Sequence, residues 1–313
     1  MSYKLVSYRD GRDARAGLLV DDTVYDAARV TGVAPYASVV GMLEDWSRAR
    51  RTLAEAAGKI AGGKSRAKGT PLGRTRLLAP LLYPGAIFCA GANYRDHMLE
   101  MARVSGSAPE PDPHEVGLKP WHFIKTSRSS VVGPGARVQL PPFSQKVDWE
   151  VELAAVIGRP ARNVSIDKAL AHVAGYTIAN DLSARDAMRR PHVADASPFK
   201  LDWLSQKCFE GACPLGPWIV PASEIPHPQK LGLKLWIGDE LMQDSNTSEM
   251  IFTTAEQIAH LSTRMTLQPG DLILTGTPAG VGMGRGRFLQ AGESIRLWIE
   301  GIGELRHTMV AGG

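Results

Sequence analysis

The stretch Val147-Asp148-Trp149-Glu150-Val151-Glu152-Leu153-Ala154-Ala155-Val156-Ile157-Gly158 alternates apolar and acidic residues with period two and then turns wholly apolar, as a strand does on entering a core. Side chains at i and i+2 of a strand project to one face, about 7 Å apart, so Glu150 and Glu152 are placed to converge on one cation. A ligand set made only of oxygen favours magnesium, manganese or calcium. The same pattern also describes a solvated strand face whose acids meet only water. The remainder of the chain has to decide between the two.

That remainder is globular in composition. At 313 residues and 44% hydrophobic content the chain is long enough to bury a large core. Lys and Arg number 36 against 32 Asp and Glu, and the net charge of +4 is spread without a basic block, which argues against a nucleic-acid partner. Lys4, Arg9, Asp10, Arg12, Asp13 and Arg15 break up any apolar leader core, and no uncharged run approaches membrane-spanning length. A soluble, cytoplasmic protein without membrane association is expected. Cys89, Cys208 and Cys213 lack zinc-ligand spacing and cannot all pair, which suits a reducing compartment.

Two parts are expected. Tyr3 to Tyr8 and Gly17 to Tyr25 read as short strands separated by the turn signals Asp10-Gly11 and Asp21-Asp22, followed by an Ala-rich helical stretch from about Ser38 to Ile60. Residues 62 to 71 are polar and rich in Gly and charge, as a linker or exposed loop is. From Leu77 onward, short β-branched and apolar runs punctuated by Gly and Pro predict a β-rich domain with a few helices. The division is therefore a small N-terminal domain, 1–76, and a larger domain, 77–313, in an α+β fold.

Gly58-Lys59-Ile60-Ala61-Gly62-Gly63-Lys64-Ser65 satisfies the spacing of a phosphate loop. It follows a helical stretch instead of a buried strand and opens no helix, so the match is read as coincidence. The glycines of Gly276 to Gly286 recur every second residue and miss the dinucleotide fingerprint. Asp181 closes the run Ala174-Gly175-Tyr176-Thr177-Ile178-Ala179-Asn180 at a strand end, where it is either a helix N-cap or part of a site. Lys207 lies among residues of buried type and reads either as a lysine snorkelling from a half-buried strand or as a site cation. His97 and Glu100 stand three apart on a helix that starts near Asn93 or Tyr94, and so share a face. A carboxylate beside an imidazole raises its basicity, as a water-activating base requires.

Taken together, Phe88-Cys89-Ala90-Gly91-Ala92-Asn93-Tyr94-Arg95-Asp96-His97, Asp148-Trp149-Glu150-Val151-Glu152-Leu153-Ala154, Gly175 to Asp186, Cys213-Pro214-Leu215-Gly216-Pro217 and Thr275 to Gly282 closely resemble, in order and spacing, the fumarylacetoacetate hydrolase family. The resemblance covers roughly residues 80 to 310, and the first eighty residues look like the small N-terminal domain some members carry. It implies a β-rich roll with flanking helices, assembled as a homodimer, and one divalent cation, Mg2+ with Mn2+ or Ca2+ as alternatives, held by Glu150, Glu152 and Asp181. By the same resemblance His97 and Glu100 are the water-activating pair, Lys207 is the active-site lysine, and Arg185 and Thr277 contact the substrate. The implied reaction is hydrolysis of the C3–C4 bond of a 2,4-dioxo acid, an acylpyruvate-like keto acid, to pyruvate and a carboxylic acid. An oxaloacetate-type decarboxylase or a 2-hydroxydienoate isomerase would use the same site.

Two features depart from the family pattern. Met188 stands where many relatives have Gln, and the segment from Met188 to Leu204 is longer than in the shortest members. Two other classes stay open: a protein that binds a metal or ligand without catalysis, and a metal-independent cysteine hydrolase, which needs a base beside Cys208 or Cys213 that the sequence does not supply.

Overall fold

The computed structural model describes residues 2–312. Three N-terminal strands, β1 (Lys4–Asp10), β2 (Asp13–Val20) and β3 (Thr23–Asp26), are joined as antiparallel hairpins. The second hairpin turns on Asp21 and Asp22, both at positive φ, the conformation a two-residue hairpin loop demands and short polar side chains tolerate. Helices α1 (Val39–Glu44) and α2 (Trp46–Ala61) follow. Trp46, Ala49, Leu53, Ala56 and Ala57 of α2 are buried, and their spacing of three and four makes one apolar stripe. The phosphate-loop spacing falls on the last turn of α2 and the polar loop after it. A helix C-terminus presents carbonyls, not amides, so an anion finds no cradle there.

Downstream lie β4 (Ile87–Ala90), α3 (Arg95–Ser105), β5 (His122–Lys125), β6 (Val151–Ile157), β7 (Val173–Asn180), α4 (Trp203–Lys207) and β8 (Cys213–Pro221). Then come β9 (Gly232–Ile237), β10 (Glu240–Asn246), α5 (Thr254–Arg264), β11 (Leu272–Leu274), β12 (Ser294–Ile299) and β13 (Gly303–Val310). One long sheet runs β3-β2-β1-β8-β7-β6-β11-β4-β5, and a second runs β10-β9-β12-β13 with residues 137–139 at its edge. In that order β11 and β4 are parallel and the other neighbours antiparallel, and residues 131–132 add a parallel pairing to β8.

The apolar end of the deciding stretch is explained by what lies on either side of β6. Leu153, Ala155 and Ile157 join Leu233, Leu235 and Leu297 of the second sheet, whereas Ala154 and Val156 join Trp46 and Leu53 of α2. A strand buried on both faces has no reason to alternate beyond its first residues. The described residues are thus layered as helix, long sheet and second sheet, an α+β fold with large mixed sheets and, among those residues, no closed barrel. The N-terminal strands extend the same sheet. β1 pairs with β8, with Leu5 opposite Ile219, and Leu5, Leu18 and Leu43 share one core with Ile87, Leu215 and Leu272.

Candidate active site

Two short ladders meet at the start of β6. Val147 and Asp148 pair with Ala184 and Ser183, and the run from Val151 pairs with β7 from Asn180. In the gap between them Glu150 lies opposite Asp181, whose N–H donates to the Glu150 carbonyl at 3.0 Å. The ladder register alone therefore brings Glu150 and Asp181, far apart in the sequence, together. Carboxylate oxygens of Glu150, Glu152 and Asp181 all lie within 4.8 Å of one another. These side chains do not face water: Glu150 is 6% exposed, Glu152 1% and Asp181 0%. Asp181 caps no helix, since the next helical turn begins at Arg185 with Ala184 in the N-cap position.

Three buried negative charges need partners, and two of the three acids have them. Asp181 accepts from Lys125 Nζ at 2.5 Å and from Lys207 Nζ at 2.7 Å. Burial by itself raises the Asp181 carboxyl, but the two lysines outweigh it and hold it down at about 2. Lys207 also donates to Glu150 at 3.1 Å. Burial works to lower its ammonium, and the charges of Asp181 and Glu150 reverse the effect and raise it. Glu150 accepts in addition from Arg185 Nη2 at 2.6 Å, and Arg185 Nε donates to Asp148 at 2.8 Å. Lys207 projects from the end of α4, wholly buried, and does not snorkel from a strand.

Glu152 is the unsatisfied member. Its Oε2 accepts the N–H of Gly276 at 2.6 Å, while its Oε1 is buried without a partner. Burial, reinforced by Asp181 and Glu150, pushes this carboxyl well above the usual range. An orphaned carboxylate oxygen in a buried cluster with two other acids is costly, and a hard divalent cation would remove that cost. The all-oxygen donor set fits magnesium, manganese or calcium.

The glycine-rich loop stands beside this cluster and serves it with backbone amides. Gly276 donates to Glu152, Gly280 to both oxygens of Glu100 at 3.0 Å, and Gly282 and Met283 to Asp148 at 2.6 and 3.0 Å. Gly276 has φ +94°, and a Cβ there would lie 2.8 Å from that of Asn93, so only glycine turns its amide onto Glu152 without strain.

His97 and Glu100 are on the first turns of α3, only 14% and 20% exposed along their side chains, with His97 Nδ1 3.6 Å from Glu100 Oε2. That distance is an electrostatic contact, longer than a hydrogen bond. Burial raises the Glu100 carboxyl, but His97 and the Gly280 amide more than offset it, so the group is lowered. His97, Glu150, Arg185, Lys207 and Thr277 line one cleft. Arg185 and Thr277, read from the resemblance as substrate contacts, are also engaged within the protein: the Thr277 hydroxyl donates to the Val151 carbonyl at 3.0 Å and accepts from Gln243 at 2.9 Å.

Sequence reasoning missed three residues here. Lys125, on β5, is the second cation on Asp181. Asn180 accepts the Glu150 N–H at 2.9 Å and Gln243 accepts the Val151 N–H at 3.0 Å. Two of the cysteines are poorly suited as nucleophiles: burial pushes the Cys213 thiol up to about 12 and Cys89 well above its ordinary value. Cys208 donates its thiol to the Ile124 carbonyl. Among the described residues no helix is long and apolar enough to cross a membrane.

An acid triad of this kind, served by a glycine loop and faced by a His–Glu pair in a two-sheet fold, defines a class, and the comparisons agree. Residues 86–310 match the model of the fumarylacetoacetate (FAA) hydrolase C-terminal family. The chain belongs to that family. It is 41% identical over 236 residues, 75% of this chain and 68% of the relative, to the mitochondrial oxaloacetate tautomerase of Xenopus laevis. The fumarylacetoacetate hydrolase of Exiguobacterium antarcticum superposes with a TM-score of 0.77 at 30% identity, covering 99% of this chain and 100% of that one. Maleylpyruvate hydrolase from Sphingobium sp. SYK-6, solved with manganese(II) and pyruvate, superposes with a TM-score of 0.74 at 28% identity over the same shares.

Proposed function

We propose that this protein is a cation-dependent enzyme that hydrolyses the C3–C4 bond of a 2,4-dioxo acid, releasing pyruvate and a second carboxylic acid. The observation that carries this reading is the orphaned oxygen of Glu152 inside a buried three-carboxylate cluster that shares its cleft with His97. Glu150, Glu152 and Asp181 would hold the cation, Mg2+ or in its place Mn2+, which when bound supplies Lewis-acid polarisation of the 2-oxo acid end. His97, held next to Glu100, takes a proton from water. The water oxygen then bonds to C4, the C3–C4 bond breaks, and its electron pair leaves on C3 as the pyruvate enolate, which the protonated His97 can return to the keto form. Lys207 has three N–H donors and spends two of them on Glu150 and Asp181, leaving one for the oxyanion at C4.

A second reading rests on the 41% identity to an oxaloacetate tautomerase. Keto–enol interchange would use the same base to move a proton between C3 and the C2 oxygen, breaking a C3–H bond as the O–H bond forms, with no carbon–carbon bond broken. A panel of acylpyruvates and oxaloacetate, assayed for pyruvate release and for loss of enol absorbance, separates the two. We expect pyruvate release that chelation abolishes, that Mg2+ or Mn2+ restores, and that His97→Ala lowers by about 10²–10⁴-fold. A wild type that consumes enol-oxaloacetate but releases no pyruvate from any acylpyruvate replaces the first reading with the second. We also propose a homodimer working in a reducing compartment such as the cytoplasm, the latter supported by the three free cysteines.

A further inference from the structure

The cleft has a second half that the carboxylate chemistry does not use. Trp121, Phe123 and Trp203 line it beside Met188. Trp203 stacks on Phe123 with ring centroids 5.5 Å apart and meets Trp121 edge-on at 5.3 Å. The wall is built in: a Cβ on Gly91 would lie 2.0 Å from the Trp121 indole, so the glycine exists in the space the ring needs. It also abuts the acid cluster, because Lys207 Nζ sits 4.7 Å over the Phe123 ring. The cations of this cleft, Arg185 and Lys207, are already bonded to carboxylates. The polar group left over is a neutral amide, Gln206, which is 2% exposed and whose buried Oε1 has no partner.

We propose that this half of the cleft selects an aromatic acyl group, so that the preferred substrate is an aroylpyruvate and not a dicarboxylic keto acid. The inference rests on the reading of the cleft as a 2,4-dioxo acid site. An aryl ring placed beyond C4 stacks within the cage of Trp121, Phe123 and Trp203, where aromatic pairs gain beyond simple burial, and Gln206 satisfies a neutral polar substituent on it. A terminal carboxylate in the same place meets indole and thioether surface, and of the two cations lining the cleft Arg185 is bonded to carboxylates while the remaining Lys207 donor is already assigned to the C4 oxyanion. Met188 adds an apolar thioether to the same wall.

The test uses three uncleavable probes that share one chelating end: oxamate, N-benzyloxamate, which puts a ring beyond the C4 position, and N-oxalylglycine, which puts a carboxylate there. Their dissociation constants on the Mg2+-loaded full-length protein are read from calorimetry and from quenching of tryptophan fluorescence. N-benzyloxamate is expected to bind about 10–100-fold more tightly than oxamate, and N-oxalylglycine no more tightly than oxamate. Trp203→Ala should collapse the benzyl preference, and Trp203→Phe should restore most of it. The proposal is overturned by equal binding of oxamate and N-benzyloxamate, by a preference for N-oxalylglycine, or by no binding of any probe. Aryl preference in a protein that cleaves no acylpyruvate would sink the hydrolase reading and with it the aroylpyruvate assignment, whereas acylpyruvate cleavage without aryl preference would sink only the latter.

Discussion

Two neutral amides hold the peptide that carries the acids. Asn180 takes the N–H of Glu150, and Gln243 takes that of Val151 while donating to Thr277 and to the Pro278 carbonyl at 2.9 Å each. Gln243 thereby ties the start of β6 to the loop whose Gly276 orients Glu152. Loss of such outer partners typically costs 10–100-fold in metal affinity, so Gln243→Leu is expected to weaken Mn2+ binding by about that factor, read by calorimetry, with Gln243→Glu intermediate because it keeps only the acceptor. Unchanged Mn2+ affinity in a folded Gln243→Leu protein would reduce Gln243 to a packing residue. Neither amide was legible in the sequence, since an Asn at a strand end and a Gln in an exposed-looking strand have ordinary local explanations. Glu150 and Glu152 were legible because period two puts them on one face. Lys125 was not: one lysine closing Trp121-His122-Phe123-Ile124 looks like a solvated strand end, and only the fold, by burying it against Asp181 56 residues away, gives it another meaning.

At the scale of elements, β13 backs β7 through a buried imidazole. Asn180 Nδ2 donates to His307 Nε2 at 2.9 Å, and burial pulls that histidine down to about 3. The unfolded chain binds the proton near the ordinary histidine value, about 6.5. Because the folded value lies below the unfolded one, this contribution to stability is intact above about 6.5 and is lost as pH falls toward 3, at up to about 1.4 kcal/mol per pH unit. His122 on β5, lowered by burial to about 4, acts in the same direction. Urea unfolding at pH 7 and pH 5 should show His307→Gln losing less stability over that interval than wild type, and equal losses would remove His307 from the acid response. β7, which holds Asn180, was readable from its apolar run, whereas β13 and β5, which carry the two histidines, were not read as strands. The task of the loop from Gly276 to Gly282 was not readable either, because it works through backbone amides, and any residue has those.

The whole molecule presents apolar surface at the end of its long sheet. Ile124 on β5, 63% exposed, and Leu204 on the neighbouring α4, 67% exposed, are large side chains of a kind that a single soluble copy rarely leaves uncovered together. Light scattering is expected to give twice 33.8 kDa, and Ile124→Asp with Leu204→Asp to halve it. A wild-type mass of one chain would set the homodimer aside. The division of the chain near residue 76 was suggested by a polar, Gly-rich stretch, while the partner of β1 was invisible, since which strand lies beside which is settled by contacts over two hundred residues apart. That pairing carries one more consequence. Stripped of its first three strands, the remaining sheet would end at β8 around Ile219, with unpaired amides and carbonyls and an apolar flank freshly bared, which is the template on which polypeptides stack into insoluble aggregates. The opening hairpins are therefore also a guard rail: they finish the sheet with short, turn-rich, charged strands and keep the rest of the fold from recruiting its neighbours.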